Sequence, residues 1–207
     1  MKILYKEYYI IIIMRLRYLS DLHLEFIKPN KIQRFIKNIK PNQDEICILA
    51  GDIGNPYKEN YNLLMKHVNE SFKKTFIIAG NHEYYNDKLM IDTENYLTNY
   101  FKQYNNISFL NNNYEIYDNH CFIGTTLWSK ITNPAYEIND VYNIPNFNYL
   151  KYNRLNMLAI DFLEDTIEKN NNAIIITHHV PSFDLVDIKY KVPKMLPYNQ
   201  WFYCDMN

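Results

Sequence analysis

The sequence predicts an α/β fold built in layers, and three observations predict it. Short apolar runs alternate with amphipathic stretches along most of the 207 residues. The runs have the length of strands, and the stretches repeat at helical spacing. Polar motifs rich in Asp, His and Asn directly follow several of the runs, the position at which layered α/β folds hold ligands.

The strand candidates are Leu16 to Leu19, Ile46 to Ala50, Thr75 to Ala79, Ile107 to Leu110, Cys121 to Gly124 and Ala173 to Thr177. Between the first two, Ile32, Phe35, Ile36 and Ile39 recur at i, i+3, i+4 and i+7, one face of a helix. Tyr61, Leu64, Met65, Val68 and Phe72 repeat that pattern before the third strand. A third helix is expected over Asp87 to Tyr104. A fourth is expected from about Lys151 to Lys169, with Leu155, Leu158, Phe162 and Leu163 facing inward. Asn111 to Asn113 and Asp118-Asn119 are turn signals that suit a hairpin leading into Cys121. Ser129 to Tyr149, with Pro134 and Pro145, reads as a long ordered loop or small cap.

Composition narrows the class of protein. Hydrophobic residues make up 47%, charged residues 22%, and the net charge is −1, which suits an ordinary globular chain. With no basic excess, nucleic acid is left open as a partner but not indicated, and salt-sensitive DNA binding is what would revive a nuclease reading. Cys47, Cys121 and Cys204 form no CxxC, so neither a zinc ribbon nor a disulfide framework is expected, and a reducing, cytoplasmic setting suits them. The apolar run Tyr8 to Met14 is far shorter than the roughly 20 residues that span a bilayer and lacks a small-residue cleavage site. No membrane anchor is therefore expected. Residues 1–13 read as an N-terminal extension with Met14 an alternative start, and 14–207 as a single domain.

Four motifs sit at strand ends: Asp21-Leu22-His23, Gly51-Asp52, Gly80-Asn81-His82-Glu83 and His178-His179. An Asp-x-His triplet arises readily by chance, a Gly-Asp pair is an ordinary turn, and a His pair is often satisfied within a core. The four-residue motif is different, since its chance frequency at a given position is on the order of 1 in 100,000.

Taken in order, with their flanks "YLSDLHLEF", "ILAGDIGNP", "IAGNHEYY", "IGTTLWS" and "ITHHVPS", these motifs resemble the calcineurin-like metallophosphoesterase superfamily from about Leu16 to Pro181. The resemblance implies a four-layer fold, a layered β-sandwich flanked by helices. It also implies hydrolysis of phosphomonoesters or phosphodiesters as substrates, with two divalent metal ions as cofactors. Mixed N and O donors suit Mn, Fe, Zn or Ni. By the same likeness Asp21 and His23 bind one metal, Asn81 and His178 bind the other, Asp52 bridges them, and a hydroxide between them attacks phosphorus. His82 resembles the family's catalytic, non-ligand histidine, and His179 lies beside the ligand His178. Glu83 either orients His82 or, the preferred reading, is a favourable acid in the first turn of the next helix. Trp128 reads as an aromatic buried between layers.

One departure stands out. Relatives end on Gly-His-x-His, but the only glycines here are Gly51, Gly54, Gly80 and Gly124. The sequence therefore reads as cut short at its C-terminus, with the last strands missing and Tyr198, Trp201 and Phe202 left without support. A catalytically impaired phosphoesterase fold serving as a binding scaffold is the alternative reading of the same motifs.

Overall fold

The computed structural model describes residues 14–206, so the 1–13 extension lies outside the described residues. Strands β1 (Arg15–Leu19), β2 (Asn42–Ala50), β3 (Phe72–Ile78) and β4 (Ile107–Phe109) form a parallel sheet in that order. Helices α1 (Pro29–Ile36), α2 (Glu59–Ser71) and α3 (Met90–Phe101) connect them. A second sheet holds β5 (Asn113–Tyr117), β6 (His120–Thr125) and β7 (Ala173–Thr177), with β5 antiparallel and β7 parallel to β6. The remaining helices are α4 (Asn139–Asn143), α5 (Tyr149–Glu168) and α6 (Leu196–Asn199).

The sheets face one another across Ile46, Ile48, Phe76, Ile78, Leu110, Phe122 and Ile176, with the Phe76 and Phe122 rings stacked at 4.0 Å. The first sheet buries its other face under the first three helices, through Leu49, Ile77, Leu64, Val68 and Leu97. On the second sheet's outer face, Ala159 and Leu163 of α5 pack on Cys121 and Ile123. The result is helix, sheet, sheet, helix, the layered sandwich the sequence predicts. Strands β2 and β3 are covered on both sides, which is why they read as unbroken apolar runs.

Local differences have local causes. Helix α3 starts at Met90 rather than Asp87, because Asn86 Oδ1 accepts from Lys88 N at 2.8 Å and holds that stretch in an Asx turn. Strand β5 was not among the strand candidates; it is the outer arm of the expected hairpin. Its turn residues Asp118 and Asn119 both adopt left-handed φ, 53° and 61°, as a two-residue turn between twisted strands requires.

The tail corrects the sequence reading at Trp201, whereas Phe202 stays 45% exposed. Trp201 is 0% exposed, donates Nε1 to Tyr136 O at 2.6 Å, and meets the Tyr152 ring edge-on at 5.0 Å. Tyr152 OH in turn donates to Trp201 O at 2.7 Å. The tail thus clamps the Ser129–Tyr149 segment against α5 through side chains, without a further strand. From the tail, Gln200 Oε1 also accepts from the backbone N–H of Thr132 and Asn133 in that segment. Trp128 is buried, as expected, against Phe147, Tyr152 and His179. The three cysteines are free and buried. Among the described residues no helix is long and apolar enough to cross a membrane.

Candidate metal centre

The four motifs meet at the C-terminal ends of β1, β2, β3 and β7. Parallel strands fix this, since each βα turn must leave its sheet at the same edge. The turns are then laced together. Asp21 N donates to Gly51 O at 3.1 Å, His23 N to Asp52 O at 3.0 Å, and His82 N to Asp52 Oδ1 at 2.9 Å.

Backbone strain concentrates here. Asp21, His23 and Asp52 all lie in the left-handed region, with φ of 53°, 46° and 53°. Non-glycine residues in that region cost about 1–3 kcal/mol each and persist where the surroundings impose them. Two glycines allow the close approach. A Cβ on Gly80 would lie 2.2 Å from Asp52 Oδ1 and 2.8 Å from His178 Nε2; one on Gly51, whose φ is 86°, would lie 2.7 Å from both Gly80 N and His178 Nδ1.

Asp52 is buried at the middle. Its Oδ2 is 3.9 Å from His23 Nε2 and 3.9 Å from His82 Nε2, while Oδ1 is 3.4 Å from His178 Nε2. Asn81 Oδ1 is 3.2 Å from the same His178 nitrogen. Asp21 Oδ1 lies 4.0 Å from His23 Nε2. Donor atoms of His23, Asp52 and His82, and again of Asp21, Asp52 and His178, fall within 4.8 Å of one another, so each trio could hold a metal; this grouping departs from the expected one, since it sets His82 beside His23 and Asp21 beside His178. Donors around a cation at about 2.1 Å stand roughly 3 to 3.5 Å apart, so the His178 side is already close to ligating geometry.

The charges follow from this packing. Burial pushes the Asp52 carboxyl up, but the hydrogen bond and charge of His178 pull it down to about 2. Burial pulls His178 down, and Asp52 reverses this, raising it to about 9. The proton on His178 Nε2 therefore stands between Asp52 and Asn81 where a cation would neutralise the same carboxylate. His178 Nδ1 donates to Ala50 O at 3.0 Å, which leaves Nε2 as the nitrogen directed at the site. His179 turns away. It is buried edge-on to Trp128 at 5.5 Å, and burial together with the His178 charge pushes it down to about 3, so it stays neutral.

Three carboxylates escaped the sequence reading. Glu83 does stand in the first turn of the short helix His82–Tyr84, but its role goes beyond that placement. It is 1% exposed, and its two oxygens accept from the backbone N–H of Asp52 (3.0 Å), Ile53 (2.7 Å), Gly54 (3.2 Å) and Gly80 (2.6 Å). It brackets two of the metal-site turns into one rigid unit. Burial and the charge of Asp52 push it up, to about 7, against the Gly80 and Gly54 amides and the charge of His178. Glu25 Oε1 accepts from His82 Nδ1 at 2.8 Å, which directs His82 Nε2 inward. Burial opposes protonation of His82, and the Glu25 hydrogen bond outweighs it and raises the imidazole. Its place two residues after His23 was the available signal. Asp140, 1% exposed in α4, accepts from Asn81 Nδ2 at 2.8 Å and from Tyr85 OH at 2.5 Å. Nothing in the sequence links it to Asn81, 59 positions away.

Comparison with known proteins gives the family and the fold. The family model for calcineurin-like phosphoesterases matches residues 14–202. An uncharacterised protein of Acanthamoeba polyphaga mimivirus is 33% identical over 193 residues, covering 81% of this chain and 68% of that protein. The crystal structure of phosphopantetheinyl hydrolase from Mycobacterium tuberculosis superposes with a TM-score of 0.69 at 14% identity. It covers 91% of this chain and 75% of that one, and so shares its fold. With four motifs converging on one buried carboxylate and the family model spanning nearly the whole chain, the protein belongs to the calcineurin-like phosphoesterases, hydrolases of phosphate esters that use divalent metals.

Proposed function

We propose that this single domain, residues 14–207, holds two divalent ions and hydrolyses phosphomonoesters or phosphodiesters. The observation that supports the reading is the position of Asp52, which presents one oxygen to His23 and His82 and the other to His178. Asp21 and His23 would hold one ion, Asn81 and His178 the other, and Asp52 both. This mixed N and O donor set suits Mn, Fe, Zn or Ni. When bound, two such ions bring the pKa of water towards neutrality and neutralise charge on the phosphoryl oxygens.

The chain's own residues supply the rest. His82, turned inward by Glu25, holds a proton at Nε2 for the leaving oxygen, a contribution of about 100- to 10,000-fold. Glu83 keeps the backbone of Asp52 and Gly80 in register. Asp140 accepts only, so it holds the Nδ2 of Asn81 and leaves Oδ1 facing His178. Three buried free thiols suit a reducing compartment such as the cytoplasm.

The test is metal content together with hydrolysis of an aryl phosphate and its diester analogue, with Mn added, for the native chain and Asp52→Asn. Two ions per chain and a turnover, both lost in Asp52→Asn, are expected. Folded native protein with neither metal nor turnover would overturn the proposal and leave the scaffold reading.

A further inference from the structure

Two tyrosines follow Glu83, and the fold gives them different surroundings. Tyr84 is 1% exposed in the core, its ring 6.1 Å from that of Trp128. Tyr85 is half-buried and turns to the metal centre, against His82. Its backbone is held on both sides, since Tyr85 N donates to His82 O at 3.1 Å and Tyr85 O accepts from Asn55 Nδ2 at 3.3 Å. The side chain therefore starts from a fixed root.

That side chain touches two residues of the site with two different parts. The hydroxyl gives its hydrogen to Asp140 Oδ1 at 2.5 Å, which leaves its oxygen free to accept from Asn81 Nδ2 at 3.2 Å. Because Asn81 Nδ2 also donates to Asp140 Oδ1, both of its hydrogens are engaged, and a flipped amide would set Oδ1 against the Asp140 carboxylate. The ring, for its part, stacks on His82 with centroids 4.2 Å apart and planes 28° from parallel. The bond from His82 Nδ1 to Glu25 fixes one atom of the imidazole but lets its plane turn about that bond; an aromatic face removes the turn. Phenylalanine could supply the face alone, and a short hydroxyl side chain the bond alone.

We infer that Tyr85 is a positioning residue for the hydrolysis, its hydroxyl holding the Asn81 amide towards the metal and its ring holding the plane of His82 towards the leaving oxygen. The inference rests on the phosphoesterase reading of the metal centre. It adds to that reading one side chain through which a metal ligand and the proton donor are set together, and it makes the two effects separable by substitution.

The experiment compares the native chain with Tyr85→Phe and Tyr85→Leu in Mn affinity by calorimetry, and in kcat and KM for an aryl phosphate diester at saturating Mn. Tyr85→Phe, which keeps the ring, should weaken Mn binding about 2- to 10-fold, the worth of one neutral hydrogen bond. Tyr85→Leu should add to that loss a fall in kcat of roughly 10- to 100-fold with KM unchanged, as a misaimed proton donor gives. In a His82→Ala background Tyr85→Leu should lower kcat no further, because the ring acts through His82. In metal-free protein the His82 Cε1–H proton resonance should move downfield in Tyr85→Leu and stay in place in Tyr85→Phe, since the face of an aromatic ring shields what stacks on it. Equal kcat for Tyr85→Leu and Tyr85→Phe, an additive loss in the His82→Ala background, or a His82 resonance that stays in place in Tyr85→Leu would each overturn the inference while native metal content and turnover leave the phosphoesterase reading standing. A native chain with neither metal nor turnover would remove that reading, and the inference with it.

Discussion

Trp201→Ala tests how the tail supports the site. Trp201 is 0% exposed, so truncation removes roughly 200 Å² of buried apolar surface. At about 25 cal/mol per Å² that is about 5 kcal/mol, the upper end of the roughly 3–5 kcal/mol seen for Trp→Ala in cores. The same change leaves Tyr136 O without its indole donor. Taking about 4 kcal/mol, and about 2–4 °C per kcal/mol for a chain of this size, Tm should fall by about 8–16 °C. Trp201→Phe, which keeps most of the apolar contact and loses the N–H bond, should cost only about 1–2 kcal/mol. Because Trp201 clamps the segment that carries Asp140, the Ala variant should also bind Mn more weakly than the Phe variant. The assays are urea and thermal unfolding followed by circular dichroism, then Mn titration of the folded protein. A Trp201→Ala variant within about 1 kcal/mol of native would refute this account of the tail.

Further outcomes follow from the site. Asp140→Ala frees the Asn81 amide to rotate, so Mn affinity should fall about 10- to 100-fold, as is usual for residues that orient ligands. In an Asn81→Ala background the same change should have no further effect, and an additive loss by calorimetry would show that Asp140 acts elsewhere. His82→Ala should retain metal and lose about 100- to 10,000-fold in turnover, with Glu25→Gln losing less; loss of metal from His82→Ala would make His82 a ligand instead. Gly80→Ala places a Cβ 2.2 Å from Asp52 Oδ1, so stability should drop by about 1–3 kcal/mol and metal content should fall with it. Normal metal content in that variant would mean the turn can yield.

Much of this protein was legible in its residues. Apolar runs bounded by polar motifs gave β2 and β3, because burial on both faces of a parallel sheet leaves no room for alternation, while the exposed β5 carried no such run. The motifs Asp21-x-His23, Gly51-Asp52, Gly80-Asn81-His82 and His178 identified the polar groups that meet at the strand ends, because ligand chemistry restricts residue type at fixed spacing. Other features were beyond reach. Glu83 looks like any first-turn acid until folding brings the amides of residues 52–54 onto it, and Asp140 reaches Asn81 only once α4 has docked. The sequence by itself determined which polar groups meet at the strand ends. Only the tertiary structure decided what holds them in place, since hydrogen bonds between distant segments require neither periodicity nor spacing and leave no pattern along the chain.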